Sequence, residues 1–334
     1  MQKIVAQEAK VLNLAKLADA ETQQDTNKNV VAVRHLLEAM NNPISRLVDQ
    51  ATISTKTLQE NKYLELLCWL SPVPFSHHHE RHSESRVPGS GKWLLDHPQY
   101  LSWKSSSTSS VLLLHGILGS GKTSLVSSVV DSFLEGNSTW ASSAPLAYFY
   151  CAKNPFELER ADPDEIMRSI VRQLTFSRDA QRNVHDTLLV DYERREAEAK
   201  INGFKVPRLR IAECIKLILD ITGSNPATIV IDAVDEVQES RRYELLDALI
   251  QITKESANIV KVFVTSRNNN NIFALLADIP RICIYSHNSR VDMELFVRYH
   301  VALAVRSRRL LDGNVTDNLQ KDLVQALLDG SGEM

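Results

Sequence analysis

Several features are scarce in this sequence, and each scarcity excludes a class of protein. The 334-residue chain has only four cysteines, Cys68, Cys151, Cys214 and Cys283, which are widely spaced and in no metal-binding pattern. This excludes a fold built on disulfides or structural zinc, and it favours a reducing, cytoplasmic location. No apolar run approaches the roughly 18 residues of a membrane span, so we expect no membrane-spanning helix. No secretory signal is visible at the N-terminus.

An excess of charge of one sign is also lacking. The chain has 38 lysines and arginines against 41 aspartates and glutamates, which gives a formal net charge of −3. Because no strong basic field exists, the composition predicts no nucleic-acid partner. The length has room for one domain of about 180 to 200 residues and a smaller flanking domain.

The sequence does contain one glycine-rich run, residues 116–123 (GILGSGKT), that fits G-x-x-x-x-G-K-[ST] at every fixed position. Apolar residues 111–114 precede it as a buried strand would, and apolar residues at helical spacing follow it. In this order of strand, loop and helix, the loop amides and the helix N-terminus hold phosphate oxygens. Lys122 should reach the β- and γ-phosphates, and the Thr123 hydroxyl should ligate Mg²⁺. The predicted nucleotide-binding residues are Gly116, Gly119, Ser120, Gly121, Lys122, Thr123 and Ser124.

A second motif, residues 228–236, reads as a buried strand that ends in acidic residues. A carboxylate at such a strand end holds Mg²⁺ in P-loop NTPases, which predicts that role for Asp232. Asp235 and Glu236 follow at once, and either could polarise the attacking water. The alternative is a solvated loop rich in charge.

A third motif, residues 262–267, is a short apolar strand that ends in two hydroxyl residues and Arg267. Arg267 could sense the γ-phosphate from the neighbouring strand. The alternative is a surface arginine that caps a strand end, since arginine is mostly exposed in proteins.

The motifs HGILGSGKT, IVIDAVDE and FVTSR, in this order, resemble the NACHT branch of the STAND P-loop NTPases. Residues 69–75 and 86–95 are similar to the segment before the P-loop in fungal NACHT proteins, and residues 146–151 and 166–174 also fit. The type is the nephrocystin-3-like N-terminal NACHT domain, often followed by ankyrin or similar repeats. The resemblance covers roughly residues 66 to 330.

The resemblance implies a slow NTPase that binds ATP, or less commonly GTP, with Mg²⁺ and acts as a switch, as in NOD-like receptor-type proteins. It implies protein partners, bound through N-terminal helices and through repeats beyond the chain, and an oligomer of the full-length protein. It also implies that the C-terminal helical region is incomplete here and that the pre-P-loop segment 86–93 lies near the base or sugar.

Strand and helix patterns alternate after residue 110, which predicts a doubly wound parallel α/β sheet. The domains expected are an N-terminal helical region (1–70), a linker and pre-P-loop segment (71–109), the NTPase domain (110–290) and the start of a helical region (291–334). Strands are predicted at 111–115, 146–151, 227–232, 260–265 and 281–285. Helices are predicted near 122–133, 163–174, 209–221, 243–254 and 291–305.

The flanking segments leave alternatives open. Apolar stripes over 3–21, 30–40 and 44–51 predict two or three helices, either a partner-recruiting module or a packing arm. Prolines and glycines predict a linker over 71–92, and its four histidines lack the ligand set of a zinc site. Two other functions compete with the switch: a scaffold that binds nucleotide without hydrolysing it, and a small-molecule kinase, for which no acceptor pocket is readable.

Overall fold

The computed structural model describes residues 60–135, 144–176 and 182–330, together with residues 10, 22–23, 26–31, 34–35 and 56. Residues 1–65 and 66–334 form two units. In the first unit every described residue is helical. The helices predicted over 3–21 and 44–51 lie outside the described residues, apart from residue 10. Of the helix predicted over 30–40, residues 30, 31, 34 and 35 are described and are helical.

The second unit alternates strands and helices as the sequence predicts. The strands are β1 (Ser110–His115), β2 (Leu146–Tyr150), β3 (Ala227–Asp232), β4 (Val260–Ser266) and β5 (Arg281–Cys283). The helices are the end of α1 (60–70), then α2 (Phe75–Ser85), α3 (Lys92–Leu95), α4 (Pro98–Ser105), α5 (Lys122–Leu134), α6 (Pro163–Thr175), α7 (Arg182–Asn202), α8 (Ile211–Thr222), α9 (Arg242–Glu255), α10 (Asn270–Leu275), α11 (Ser286–Arg306) and α12 (Asp317–Gly330).

All five strands are parallel, in the order β2-β3-β4-β1-β5. The register aligns His115 of β1 with Ser266 of β4, and Tyr150 of β2 with Asp232 of β3. The carboxyl ends of these strands therefore form one edge of the sheet. Because β4 lies between β1 and β3, the ends of all three predicted motif strands are neighbours.

Alternate residues of the strands face two separate hydrophobic cores, as the period of two in a strand requires. On one face, Leu113, Ile231 and Val264 pack in a core with α6, α8 and α9. On the other, Leu112, Val230 and Phe263 pack in a core with α4 and α5. Helices therefore cover both faces, which confirms the doubly wound α/β fold of a P-loop NTPase.

The prediction of a linker over residues 71–92 is wrong for the centre of that segment. Residues Phe75–Ser85 form α2, with Pro74 at its N-cap, and its one buried side chain is His79. The short Gly-Ser-Gly segment 89–91 reads as a turn in the sequence, and the structure has a turn there, in which Ser90 donates its amide to the Val87 carbonyl. The charged composition of segment 177–206 predicts a solvated insertion or an exposed helix. Within it, residues 182–202 form α7.

Candidate functional site

The glycine-rich run forms a loop between β1 and α5. Gly119 and Gly121 have φ of 81° and 82°, a left-handed conformation that only glycine adopts without strain. Gly121 is also the N-cap of α5, so the loop leads directly into a helix N-terminus. Ser120 closes the loop by donating its hydroxyl to the Ile117 carbonyl at 2.8 Å. The loop thus has the backbone form that turns amides toward an anion.

Lys122, the first residue of α5, folds back over this loop. Its Nζ donates to the carbonyl oxygens of Gly116 at 2.8 Å and Ile117 at 2.7 Å, and to Ser120 Oγ at 3.3 Å. Burial lowers the pKa of Lys122 from its ordinary value, and the carboxylates of Asp235 and Asp232 oppose that shift. The lysine charge is therefore held at the loop and faces the acidic strand end.

Asp232, the last residue of β3, is buried, with 2% of its surface exposed. Its Oδ2 accepts a hydrogen bond from Thr123 Oγ1 at 2.7 Å, and its Oδ1 accepts one from Thr265 Oγ1 at 2.5 Å. Burial raises the pKa of Asp232, and the two threonine hydroxyls oppose the shift. The structure thus joins Thr123 and Asp232, the two predicted magnesium residues.

The chemistry of this donor set fits Mg²⁺. The hydroxyl oxygen of Thr123 and the carboxylate of Asp232 are hard oxygen donors in contact with each other, and Mg²⁺ prefers one or two such protein ligands beside water and phosphate oxygens. Among the described residues, no cluster of three or more His, Cys, Asp or Glu side chains could hold a metal by itself. A magnesium ion here would need phosphate oxygens to complete its ligands.

The acidic loop after β3 is tightly constrained. Ala233 adopts φ 54° and ψ 52°, the left-handed region that non-glycine residues rarely enter, and its amide donates to Thr265 Oγ1 at 2.9 Å. Residues Val234–Glu236 then form a single 3₁₀ turn. The buried Arg242 donates to the carbonyl oxygens of Asp235 at 2.6 Å and Val237 at 3.0 Å. The loop is therefore held on both sides.

Arg267, just beyond β4, lies against both acids of this loop. Its amide donates to Asp235 Oδ1 at 2.9 Å, and its Nε lies 3.2 Å from Asp235 Oδ2. Its guanidinium also pairs with Glu236 Oε1, while Glu236 Oε2 accepts from the Lys153 amide at 3.1 Å. The three residues predicted as catalytic are thus brought together in one ion-pair cluster.

A cavity of about 310 Å³ lies beside the glycine-rich loop. Its walls come from the pre-loop segment, the loop and start of α5, and the start of α11. The predicted site residues Gly119, Ser120, Gly121 and Ser124 border it. The structure places Val87, Ser90, Gly91 and Trp93 of the pre-loop segment on its wall.

Three residues of this region were not assigned by sequence reasoning. Thr265 was recognisable only as a hydroxyl at a strand end, which is the signal that could have found it. Arg242 has no motif, and its role depends on carbonyl groups that only the folded turn presents. Asp292 borders the cavity from α11, about 200 residues from the pre-loop segment, and nothing in the sequence relates the two.

Comparison with known proteins identifies the family of the chain. A model of the family described as Nephrocystin 3, N-terminal matches residues 89–267, which is more than half of the chain. The chain belongs to this family. The matched segment of the Nephrocystin 3 N-terminal model begins in the pre-loop turn and ends at Arg267, so it includes the loop, the acidic strand end and the arginine. No curated protein sequence matches the chain.

Solved structures are similar at low identity. The Aeropyrum pernix ORC1 protein in complex with DNA is 16% identical with a TM-score of 0.38, and the match covers 72% of this chain and 59% of that one. The Aeropyrum pernix ORC2 protein in its ADP form is 14% identical with a TM-score of 0.43, covering 73% and 71%. The Drosophila ORC bound to DNA is 12% identical with a TM-score of 0.36, covering 67% and 49%. The chain therefore spans about three fifths of the ORC1 chain.

These matches correct the partners predicted from the sequence. The near-neutral net charge predicted no nucleic-acid partner, yet two of the similar structures, the Aeropyrum pernix ORC1 protein and the Drosophila ORC, are complexes with DNA. The exclusion of nucleic acid is therefore withdrawn, because net charge averages over the whole surface. The protein partners and the oligomer implied by the resemblance are withdrawn with it. Separately, none of the described helices is both long enough and apolar enough to cross a membrane.

Proposed function

We propose that this member of the Nephrocystin 3 N-terminal family is a NACHT-type nucleotide-binding module. It binds a nucleoside triphosphate, ATP or GTP, with Mg²⁺ and hydrolyses it slowly, so that the nucleotide biases a conformational switch. The NTPase domain would span residues 110–290 in a cytoplasmic protein. The observation that carries the proposal is the 2.7 Å contact of Thr123 with Asp232 beside the Lys122 loop.

Each residue has a role that follows from its position. The loop amides and Lys122 neutralise phosphate charge, and Thr123 and Asp232 hold the metal, which supplies further neutralisation when bound. Thr265 holds the Asp232 carboxylate from the opposite side. Glu236 or Asp235 orients the attacking water and takes its proton. Arg267 lies within reach of both acids and is placed to respond to charge beside them.

One observation favours a second candidate, a scaffold that binds nucleotide without hydrolysing it. Arg267 pairs with both Asp235 and Glu236, so neither carboxylate is free to act on water in this arrangement. Hydrolysis then requires Arg267 to move away from the acids. A chain in which this cluster persists would hold the nucleotide and release no phosphate.

Single-turnover hydrolysis separates the two candidates. We expect wild-type protein to release phosphate from bound Mg²⁺-ATP, and Glu236→Gln to bind equally well but to release phosphate about 10²-fold more slowly, the size of a general-base contribution. The matched control is Glu239→Gln, an exposed acid three residues away. If Asp235→Asn is slow and Glu236→Gln is not, the two acids exchange roles. Binding without phosphate release in wild type would establish the scaffold.

A further inference from the structure

The cavity beside the loop has mostly apolar walls and one charged side chain. Trp93 from the pre-loop segment, Leu125 from α5, and Met293 and Phe296 from α11 provide apolar surface. Among the described residues that line the cavity, Asp292 is the one with a charge. Such a cavity suits a flat, partly aromatic ligand whose polar edge meets a single carboxylate.

Asp292 is built into this wall. Its Oδ2 accepts a hydrogen bond from the Gly91 amide at 2.9 Å, which joins α11 to the pre-loop segment. Gly91 has φ of 84°, and a Cβ there would come within 2.6 Å of Ser128 Oγ, so the backbone at this point is fixed. Burial raises the pKa of Asp292, and the Gly91 amide and the Trp93 side chain both oppose the shift. The carboxylate is thus held by the pre-loop segment, and an ionised carboxylate has room for further hydrogen bonds beyond these.

When Asp292 is ionised, its remaining lone pairs can accept hydrogen bonds, and the group has no proton to donate. A phosphate group offers no donor and would be repelled by the carboxylate, so the phosphate end of a nucleotide belongs at Lys122 and not here. The nucleoside end does carry donors, among them the exocyclic amine of adenine or guanine, the N1–H of guanine and the ribose hydroxyls. All of these present the same chemistry to a carboxylate.

We propose that Asp292 reads the nucleoside, accepting a hydrogen bond from the base amine or from a ribose hydroxyl. The inference rests on the nucleotide binding of the proposed function and not on its hydrolysis. It makes α11 a specificity element, since a pocket that hydrogen-bonds a ligand donor rejects the analogue that lacks it. Asp292 would determine which nucleoside binds more tightly, whereas Lys122 would raise the affinity for every nucleotide alike.

The test compares dissociation constants for a panel of triphosphates by calorimetry. ATP is compared with purine riboside triphosphate, which lacks the 6-amine, and GTP with inosine triphosphate, which lacks the 2-amine. ATP is also compared with its 2′-deoxy and 3′-deoxy forms. We expect wild-type protein to bind ATP or GTP at least about tenfold more tightly than the analogue that lacks the donor. This is the effect of losing a hydrogen bond to a charged group. Asp292→Asn, which keeps an oxygen for the Gly91 amide, should reduce that ratio to about twofold.

The matched control is Glu294→Gln, a neighbouring acid on α11 that pairs with Arg298. It should leave every ratio unchanged. If Asp292→Asn loses the ratio between a parent nucleotide and its analogue without the amine, Asp292 is assigned to the base. If it loses the ratio between ATP and a deoxy form, Asp292 is assigned to the ribose. If Asp292→Asn does not fold, Asp292→Ser should lower the same ratio.

Two results overturn the inference. Ratios that are equal in wild type and Asp292→Asn show that the carboxylate does not read the nucleoside. A wild-type protein that binds every member of the panel equally shows that nothing reads it. A wild-type protein that binds none of them instead overturns the proposed function, which keeps the two failures distinguishable.

Discussion

At the scale of single residues, Asp232 lowers the stability of the fold while it serves the site. A buried carboxylate is costly, since burial disfavours its charged form. Two threonine hydroxyls reduce the cost by donating to its two oxygens. A metal ion would reduce it further, because opposite charge favours the ionised carboxylate. The residue is therefore better suited to binding a cation than to holding the fold together.

Asp232→Asn should separate these two roles. Burial raises the folded-state pKa of Asp232, so the folded protein binds more protons than the unfolded chain at pH values between the ordinary and the raised pKa. The unfolding free energy should then fall as the pH rises through that window, and the cost should be fully present above it. Asparagine removes this titration.

We therefore expect Asp232→Asn to unfold, at neutral pH and without nucleotide, at a temperature no lower than wild type, with a flatter pH dependence. Addition of Mg²⁺ should tighten nucleotide binding about tenfold in wild type, or about 1.4 kcal/mol, and less than about twofold in the variant. Denaturant melts across pH and calorimetry with and without Mg²⁺ measure both effects. An unchanged response to Mg²⁺ would remove Asp232 from the metal site.

How far the sequence predicts the site depends on whether a residue acts through its local motif. The roles proposed for Lys122, Thr123 and Asp232 follow from motif order, and the structure places these residues within one cluster. Arg242 and Asp292 act on backbone groups of other segments, so their roles exist only after folding. Tertiary contacts of this kind leave no periodic signal in a single sequence.

At the scale of elements, α2 shows what a composition-based prediction misses. Its sequence, FSHHHERHSES, is flanked by prolines and has almost no apolar side chains, so periodicity could not identify it. A polar network holds it instead. His79 Nε2 lies 2.9 Å from Asp131 Oδ1 on α5, and its Nδ1 lies 2.8 Å from the Tyr150 hydroxyl at the end of β2.

Arg86 caps the C-terminal end of α2 and extends this network. It donates to Asp131 Oδ2 at 2.6 Å and to the hydroxyls of Ser127 and Ser128 on α5. Burial raises the pKa of Tyr150, so its hydroxyl stays protonated at neutral pH. Because the pre-loop segment of the cavity follows Arg86 directly, the network also fixes where that wall lies.

Asp131→Asn should loosen α2 selectively. The substitution removes the charge that meets both His79 and Arg86, and hydrogen bonds to charged groups contribute about 2 kcal/mol. We expect the unfolding free energy to fall by about that amount and amide hydrogen exchange across Phe75–Ser85 to accelerate. Asp247→Asn, an exposed acid on α9, is the matched control. Unchanged exchange in α2 would show that apolar packing alone holds this helix.

The strands were predictable for the opposite reason. Buried parallel strands read as continuous apolar runs, and β3 is buried along its full length. β5 is shorter than predicted, ending at Cys283, because pairing with β1 ends there. The sequence therefore predicts the buried strands, and it misses α2, which is held by polar contacts.

At the scale of the whole molecule, the parallel sheet gathers residues that are far apart in sequence. Thr123, Asp232 and Arg267 all follow or end strands whose carboxyl ends are adjacent. Whole-chain quantities are less informative, since a net charge says nothing about local surfaces. Two of the cysteines, Cys151 and Cys214, are buried. Burial raises the pKa of the Cys214 thiol to about 12.

Calorimetry of Lys122→Ala tests whether the Lys122 loop binds the phosphates of a Mg²⁺-nucleotide. Lys122 donates to carbonyl groups of its own loop and places its charge where phosphate oxygens would lie. We predict that wild-type protein and the control Lys254→Ala, an exposed lysine on α9, bind Mg²⁺-ATP or Mg²⁺-GTP alike. Lys122→Ala should melt at the wild-type temperature without nucleotide and show no measurable binding. Equal affinity of Lys122→Ala and wild type would contradict the account.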